Sequence, residues 1–220
     1  MKVKKKIKVD VVSDVVCPWC YVGKRRLERA MAELAGSVDF EITYLPFELN
    51  PEMPAAGRNL KEHLTAKFGG AEKYKAITEN MKKVALSEGL HFDFDKQNTS
   101  PNTRNAHRLI WLAEKKGLQV AVKEALLHAY FEEGIDLTQA DNLIEVAANA
   151  GLPSDEIKKL LASEDGMQEV EYLEQLNYQR GITGVPFYII NNKYGLSGAQ
   201  PSHTFVQLFR KASEEVLTEN

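Results

Sequence analysis

Sulfur is scarce in this chain. Two cysteines, Cys17 and Cys20, are its whole thiol supply. That excludes a scaffold stapled by many disulfides, which needs more cysteines at wider spacing. Long apolar runs are also missing: nothing approaches the roughly 18 consecutive apolar residues of a membrane-crossing helix. Charge of one sign is missing too, because the net charge is only -3 and is spread along the chain. A nucleic-acid binder usually concentrates basic residues on one face. The one basic cluster, Lys2 to Lys8, is broken by Val3 and Ile7 and reads as lysines solvating an edge strand rather than a docking patch. The histidines, at 63, 91, 107, 128 and 203, include no pair at metal-ligand spacing, and there is no second cysteine pair to complete a zinc site. After the first lysines the apolar stretch carries Asp10 and Asp14 and leads to no small-residue cleavage site, so an export leader is not expected. The expected location is the cytoplasm, where thiols are mostly kept reduced and a close cysteine pair is more often chemical than structural.

What is present fits a folded α/β protein, with 44% hydrophobic and 27% charged residues. Ile7 to Val12 reads as a buried strand, with Ile7, Val9 and Val11 on one face. A helix striped by Leu27, Ala30, Met31 and Leu34 follows, and then Val38, Phe40, Ile42 and Tyr44 alternate with polar residues as a half-buried strand. A connection of that length favours a parallel, right-handed crossover. Pro46, Pro51 and Pro54 mark an exit loop, after which only helical periods appear as far as Gly181. One of those helices carries Ile157, Leu160 and Leu161 and is expected to be capped by Ser154. Phe187 to Ile190, Asn191-Asn192 and Lys193 to Ser197 then form a hairpin signal, and Ser202 opens a last helix striped by Phe205, Leu208, Phe209 and Ala212. Both β-rich ends are too small to stand alone. They are expected to join in one sheet, with the helices inserted between them.

The chemistry sits in Cys17-Pro18-Trp19-Cys20. On a helix this spacing puts two sulfurs on one face, one turn apart and within reach of a disulfide. Pro18 suits the first helical position, where its missing N–H costs nothing. Cys17 then lies at the positive end of the helix dipole, which favours the thiolate, the attacking species. The natural division is that Cys17 forms the mixed disulfide and Cys20, deeper in the first turn, resolves it. Two inert buried thiols are the bland alternative. A second motif, Thr183-Gly184-Val185-Pro186, opens the returning strand, where a plain trans proline would be tolerated.

These residues resemble the DsbA-like branch of the thioredoxin superfamily, specifically its FrnE-type members. The likeness runs through Ser13-Asp14 and Cys17-Pro18-Trp19-Cys20, Pro46-Phe47-Glu48-Leu49, Asn102-Thr103 with Ala106-His107-Arg108, Gly184-Val185-Pro186-Phe187 and Ser197-Gly198-Ala199-Gln200. It implies a thioredoxin-like fold, residues 1–50 and 180–220, interrupted by a large all-helical domain, residues 51–179. It implies Cys17 and Cys20 as catalytic residues, Pro186 as a cis proline facing them, and Val185 pairing with an extended substrate by strand addition. Trp19, with Tyr21, is a candidate apolar rim for substrates, or simply packs. His107 is a candidate substrate-side residue, or a satisfied structural histidine. Asp14 is a candidate for proton transfer, or a turn residue. Lys24, Arg25 and Arg26 attract acidic partners or form a solvated face. The implied partners are thiol- or disulfide-containing proteins or small molecules, with no nucleic acid, no membrane, no bound cofactor and no metal, and with glutathione as a possible redox partner. Two further readings stand beside dithiol exchange. One is a glutathione-dependent small-molecule isomerase or transferase of the kappa-like type, which typically presents serine where Cys17 stands. The other is a chaperone-like binder whose cysteines sense redox state.

Overall fold

A computed structural model describes residues 4–215. β1 (Lys5–Ser13) lies parallel to β2 (Val38–Pro46), in register from Lys5 opposite Val38 to Ser13 opposite Pro46. The crossover between them is α1 (Pro18–Leu34). β1 pairs on its other side, antiparallel, with β5 (Phe187–Ile190), and β5 pairs with β6 (Tyr194–Ser197), so the sheet order is β2-β1-β5-β6. Asn191 and Asn192 close that hairpin with φ values of 50° and 54°, the left-handed geometry a tight two-residue turn needs. The turn is anchored to β1 by the Asn191 side chain, whose Oδ1 accepts the Lys8 N–H at 2.9 Å.

β1 is therefore an interior strand, not an edge. Lysines of β1, and Lys4 just before it, pair with acidic side chains rather than solvating an open ladder. Lys4 pairs with Asp39 and Lys6 with Glu41, residues of neighbouring β2, while Lys8 pairs with Asp10 of β1 itself. Alternation along β1 sends Ile7, Val9 and Val11 under α1 and α9 (Ser202–Glu215), where they join Tyr188, Ile190, Phe205 and Phe209 in the core. Tyr188 and Phe205 meet edge to face with centroids 4.7 Å apart. Burial of each such side chain contributes about 1.5–3 kcal/mol.

Between β2 and β5 the chain forms α2 (Leu60–Phe68), α3 (Ala71–Ser87), α4 (Arg104–Glu114), α5 (Gln119–His128), α6 (Ala140–Asn149), α7 (Ser154–Leu161) and α8 (Met167–Gln179). The insertion is not wholly helical: a two-stranded ribbon of β3 (Arg58–Asn59) and β4 (Thr99–Ser100) closes its entry, too short to leave a periodic signal. Pro153, not Ser154, holds the N-cap position of α7, and Ser154 is its first helical residue. α5 runs on into a single π-turn, Ala129–Glu133. Its Phe131 stacks on Phe92 at 4.7 Å, and Phe92 stacks on Tyr21 of α1 at 5.8 Å, so one apolar core runs from the sheet into the helices.

Candidate active site

Cys17 occupies the N-cap of α1 with φ −93° and ψ 110° and contributes no side-chain cap bond. Pro18 follows at the first helical position. The first turn closes through the Cys20 N–H, which donates to the Cys17 carbonyl at 3.0 Å. Both thiols are free and both are buried, at 4% exposure for Cys17 and 3% for Cys20, so exposure does not separate their roles. Their partners do. Cys17 Sγ lies 3.5 Å from the carbonyl oxygen of Val185, and the Val185–Pro186 peptide is cis. The Pro186 carbonyl accepts from the Gly198 N–H at 2.8 Å, which ties this segment to the end of β6. Burial, followed by the hydrogen bond and charge of Cys17, pushes the Cys20 thiol well above its ordinary value; Lys123 and the Asp14 backbone N–H pull it partly back.

Trp19, a candidate for an apolar rim, is 41% exposed. Tyr21 is not part of that rim: it is fully buried, and its hydroxyl donates to Glu124 Oε1 at 2.8 Å. His107 is not on an accessible substrate surface either. Its side chain is 2% exposed, and Nε2 lies 3.3 Å from the buried Asp14 Oδ1. The reason is helical phase. His107 falls on the α4 face shared with Ala106 and Ile110, which packs inward.

Asp14 is more than a turn residue. It is fully buried, and its carboxylate accepts the Val15 N–H at 2.7 Å and the Leu49 N–H at 2.8 Å. Burial pushes its carboxyl up, but His107, the Leu49 N–H and Lys123 outweigh that and hold it below the usual carboxylate value. Lys24, Arg25 and Arg26 form neither a partner-seeking patch nor a solvated face. Lys24, 3% exposed, and Arg25 both bind Glu28 and Glu124; Arg26 binds Glu88 at 2.6 Å and the Ala199 carbonyl at 2.6 Å. They fasten α1 to the inserted helices and to the loop after β6.

Two buried carboxylates near the site, Glu48 and Glu174, carried no obvious sequence signal. Arg104 at the start of α4 bridges Glu48 and, at 3.4 Å, Glu174. Burial, then the charge of Glu48, pushes Glu174 up to about 8. Lys123 is the exception that could have been found. It shares a stripe with Gln119, Val122 and Leu126 at i, i+3, i+4 and i+7, and a lysine within such a stripe is a flag.

Comparison with known proteins places this geometry. A crystal structure of a probable DsbA oxidoreductase from Streptomyces coelicolor superposes with a TM-score of 0.88 at 34% identity, over 94% of this chain and 89% of that one. An uncharacterized protein of Bacillus subtilis, YwbO, is 26% identical over 188 residues, 84% of this chain and 88% of its own length. The cytosolic disulfide reductase DsbM of Pseudomonas aeruginosa, solved with GSH, shares the fold at a TM-score of 0.62 and 16% identity, over 96% of this chain and 98% of that one. A model of the DSBA-like thioredoxin domain matches residues 8–210. With a cysteine pair at the head of the crossover helix, a mixed sheet and a helical insertion between its halves, the chain belongs to the DSBA-like thioredoxin domain family.

Proposed function

We propose that the protein is a FrnE-type thiol–disulfide oxidoreductase working by dithiol exchange between Cys17 and Cys20. The observation that carries the reading is the Cys17 sulfur at the mouth of α1, 3.5 Å from the Val185 carbonyl, with the Cys20 thiol raised behind it. Cys17 attacks a substrate sulfur, and Cys20, kept protonated until needed, attacks Cys17 to release it. Val185, half-buried before Pro186, offers backbone to an extended substrate, and Trp19 supplies an apolar edge. The substrates are proteins or small thiols. Glutathione, which DsbM was solved with, is the candidate reductant, and no resident cofactor is required. Among the described residues no helix is long and apolar enough to cross a membrane, and we place the activity in the cytoplasm, with the dithiol as the resting form. Kappa-like isomerisation is disfavoured by the cysteine standing where those proteins present serine.

Reduction of insulin by dithiothreitol tests this. The protein accelerates it, Cys17→Ser falls to the uncatalysed rate, and Cys20→Ser accumulates mixed disulfides with substrate. A Cys17→Ser variant as active as the parent removes the reading, and no acceleration by the parent favours the binder.

A further inference from the structure

The thiol of Cys17 donates to the Val185 carbonyl, with Sγ 3.5 Å from the oxygen. A thiol is a weak donor, so this is a modest bond, and one that exists only while the sulfur carries its hydrogen. The neighbouring backbone offers an extended peptide little else. Pro186 has no N–H, and its carbonyl already accepts from the Gly198 N–H at 2.8 Å. Phe187 is paired with Val12 of β1 and with Ser197 of β6. The Val185 N–H, by contrast, donates to no group among the described residues. A strand laid antiparallel on Val185 would use both its N–H and its C=O, and the C=O is engaged by the attacking cysteine. Val185 also packs against the buried cluster of Val12, Phe47 and Ile182. An acceptor beside such apolar side chains is costly to leave without a donor.

We propose that Val185 is a redox-gated docking point: the Cys17 thiol closes it to an extended peptide, and the Cys17–Cys20 disulfide opens it. The proposal rests on the dithiol reading above, with Val185 as the residue that meets the substrate strand. When a substrate disulfide is reduced, two electrons and two protons pass from the cysteine pair to the two substrate sulfurs, and the Cys17–Cys20 bond forms. Cys17 then has no S–H, and the Val185 oxygen has lost its donor. A peptide N–H replaces it, so the oxidised chain holds an extended peptide more tightly than the reduced one. Two equivalents of a small thiol, left as its own disulfide, reduce the Cys17–Cys20 bond and return the S–H. The thiol then competes for the same oxygen and expels the peptide. Product release is thereby tied to the arrival of the reductant. By linkage, a docked peptide favours the disulfide over the dithiol by the factor that separates the two affinities.

The test is fluorescence anisotropy of a labelled, cysteine-free extended peptide, which can dock but cannot exchange. It is titrated with the full chain in its dithiol and disulfide forms, with reduced Cys17→Ala and with reduced Cys20→Ser. Removal of the competing S–H should make the disulfide form and Cys17→Ala bind about three- to tenfold more tightly than the dithiol form. Cys20→Ser keeps the Cys17 thiol and should match the dithiol form. In glutathione buffers, saturating peptide should shift the Cys17–Cys20 equilibrium toward the disulfide by the same factor. The two parent forms need no substitution, so their comparison decides where a variant fails to fold. Equal affinity of the parent forms overturns the proposal. So does Cys17→Ala binding as weakly as the dithiol parent, since the thiol would then not be the gate. Absence of peptide binding by every form overturns it together with strand docking at Val185. Insulin reduction reads the dithiol chemistry separately: an active chain with ungated binding loses this proposal alone, whereas an inactive chain loses the dithiol reading on which it rests.

Discussion

At the scale of single residues, the site is shaped by what lies just behind it. Gly23, in the turn of α1 after Cys20, lies against Pro186 and Tyr188. A Cβ there would lie 3.2 Å from Pro186 Cγ and closer still to the Tyr188 hydroxyl, which is itself buried. Gly23→Ala should therefore cost about 1–3 kcal/mol and slow insulin reduction by displacing Val185. An unchanged denaturant midpoint would show that the neighbours yield freely. Glu174 gives a pH signature. Its folded value near 8 exceeds the roughly 4.3 of an unfolded glutamate, so between the two the native state holds more protons than the unfolded one. Stability attributable to this group falls as pH rises through that window. Glu174→Gln, which cannot ionise, should match the parent below about pH 4 and gain about 1–3 kcal/mol on it by pH 9. Urea unfolding across that range measures it, and a constant difference would assign the change to packing instead.

At the scale of elements, the helix that carries the cysteines is held by ion pairs, not only by its apolar stripe. Glu124 of α5 receives Lys24 and Arg25 of α1. Burial raises its carboxyl, but the Arg25 and Lys24 contacts outweigh that and bring it to about 2. A depressed carboxyl stabilises the fold above its unfolded value near 4.3, and that contribution is lost as pH falls through about 2. Glu124→Gln should cost about 1–3 kcal/mol at neutral pH, and its deficit should shrink as acid unfolding is approached. Thermal melting at about pH 7 and pH 3 reads both limbs, and a pH-independent deficit would contradict the ion-pair account.

At the scale of the whole molecule, the division into residues 1–50 with 180–220 and residues 51–179 describes chain order more than independence. Tyr21, Phe92 and Phe131 stack across the boundary, and Arg26 and Arg29 both bind Glu88 beyond α3. The two tryptophans report on the two parts, Trp19 beside Cys17 and Trp111 on α4. Single-tryptophan variants, Trp19→Phe and Trp111→Phe, should give coincident denaturant transitions by fluorescence and by circular dichroism. Two separated midpoints would mean that the insertion folds alone.

Periodicity and turn chemistry act within a few residues, so they could be read directly from the chain. They marked β1, the parallel crossover to β2, the helical block, the Asn191-Asn192 hairpin and the cysteine pair at a helix start. Contacts across the chain could not be read that way, because which face meets which is settled only when distant elements pack. The interior place of β1, the burial of His107 against Asp14, the capture of Lys24 and Arg25 by Glu124, and the burial of Lys123 on α5 all depend on that packing. Local sequence thus determined where a reactive thiol pair sits. Burial and charge brought together by the fold decided which groups stand behind it.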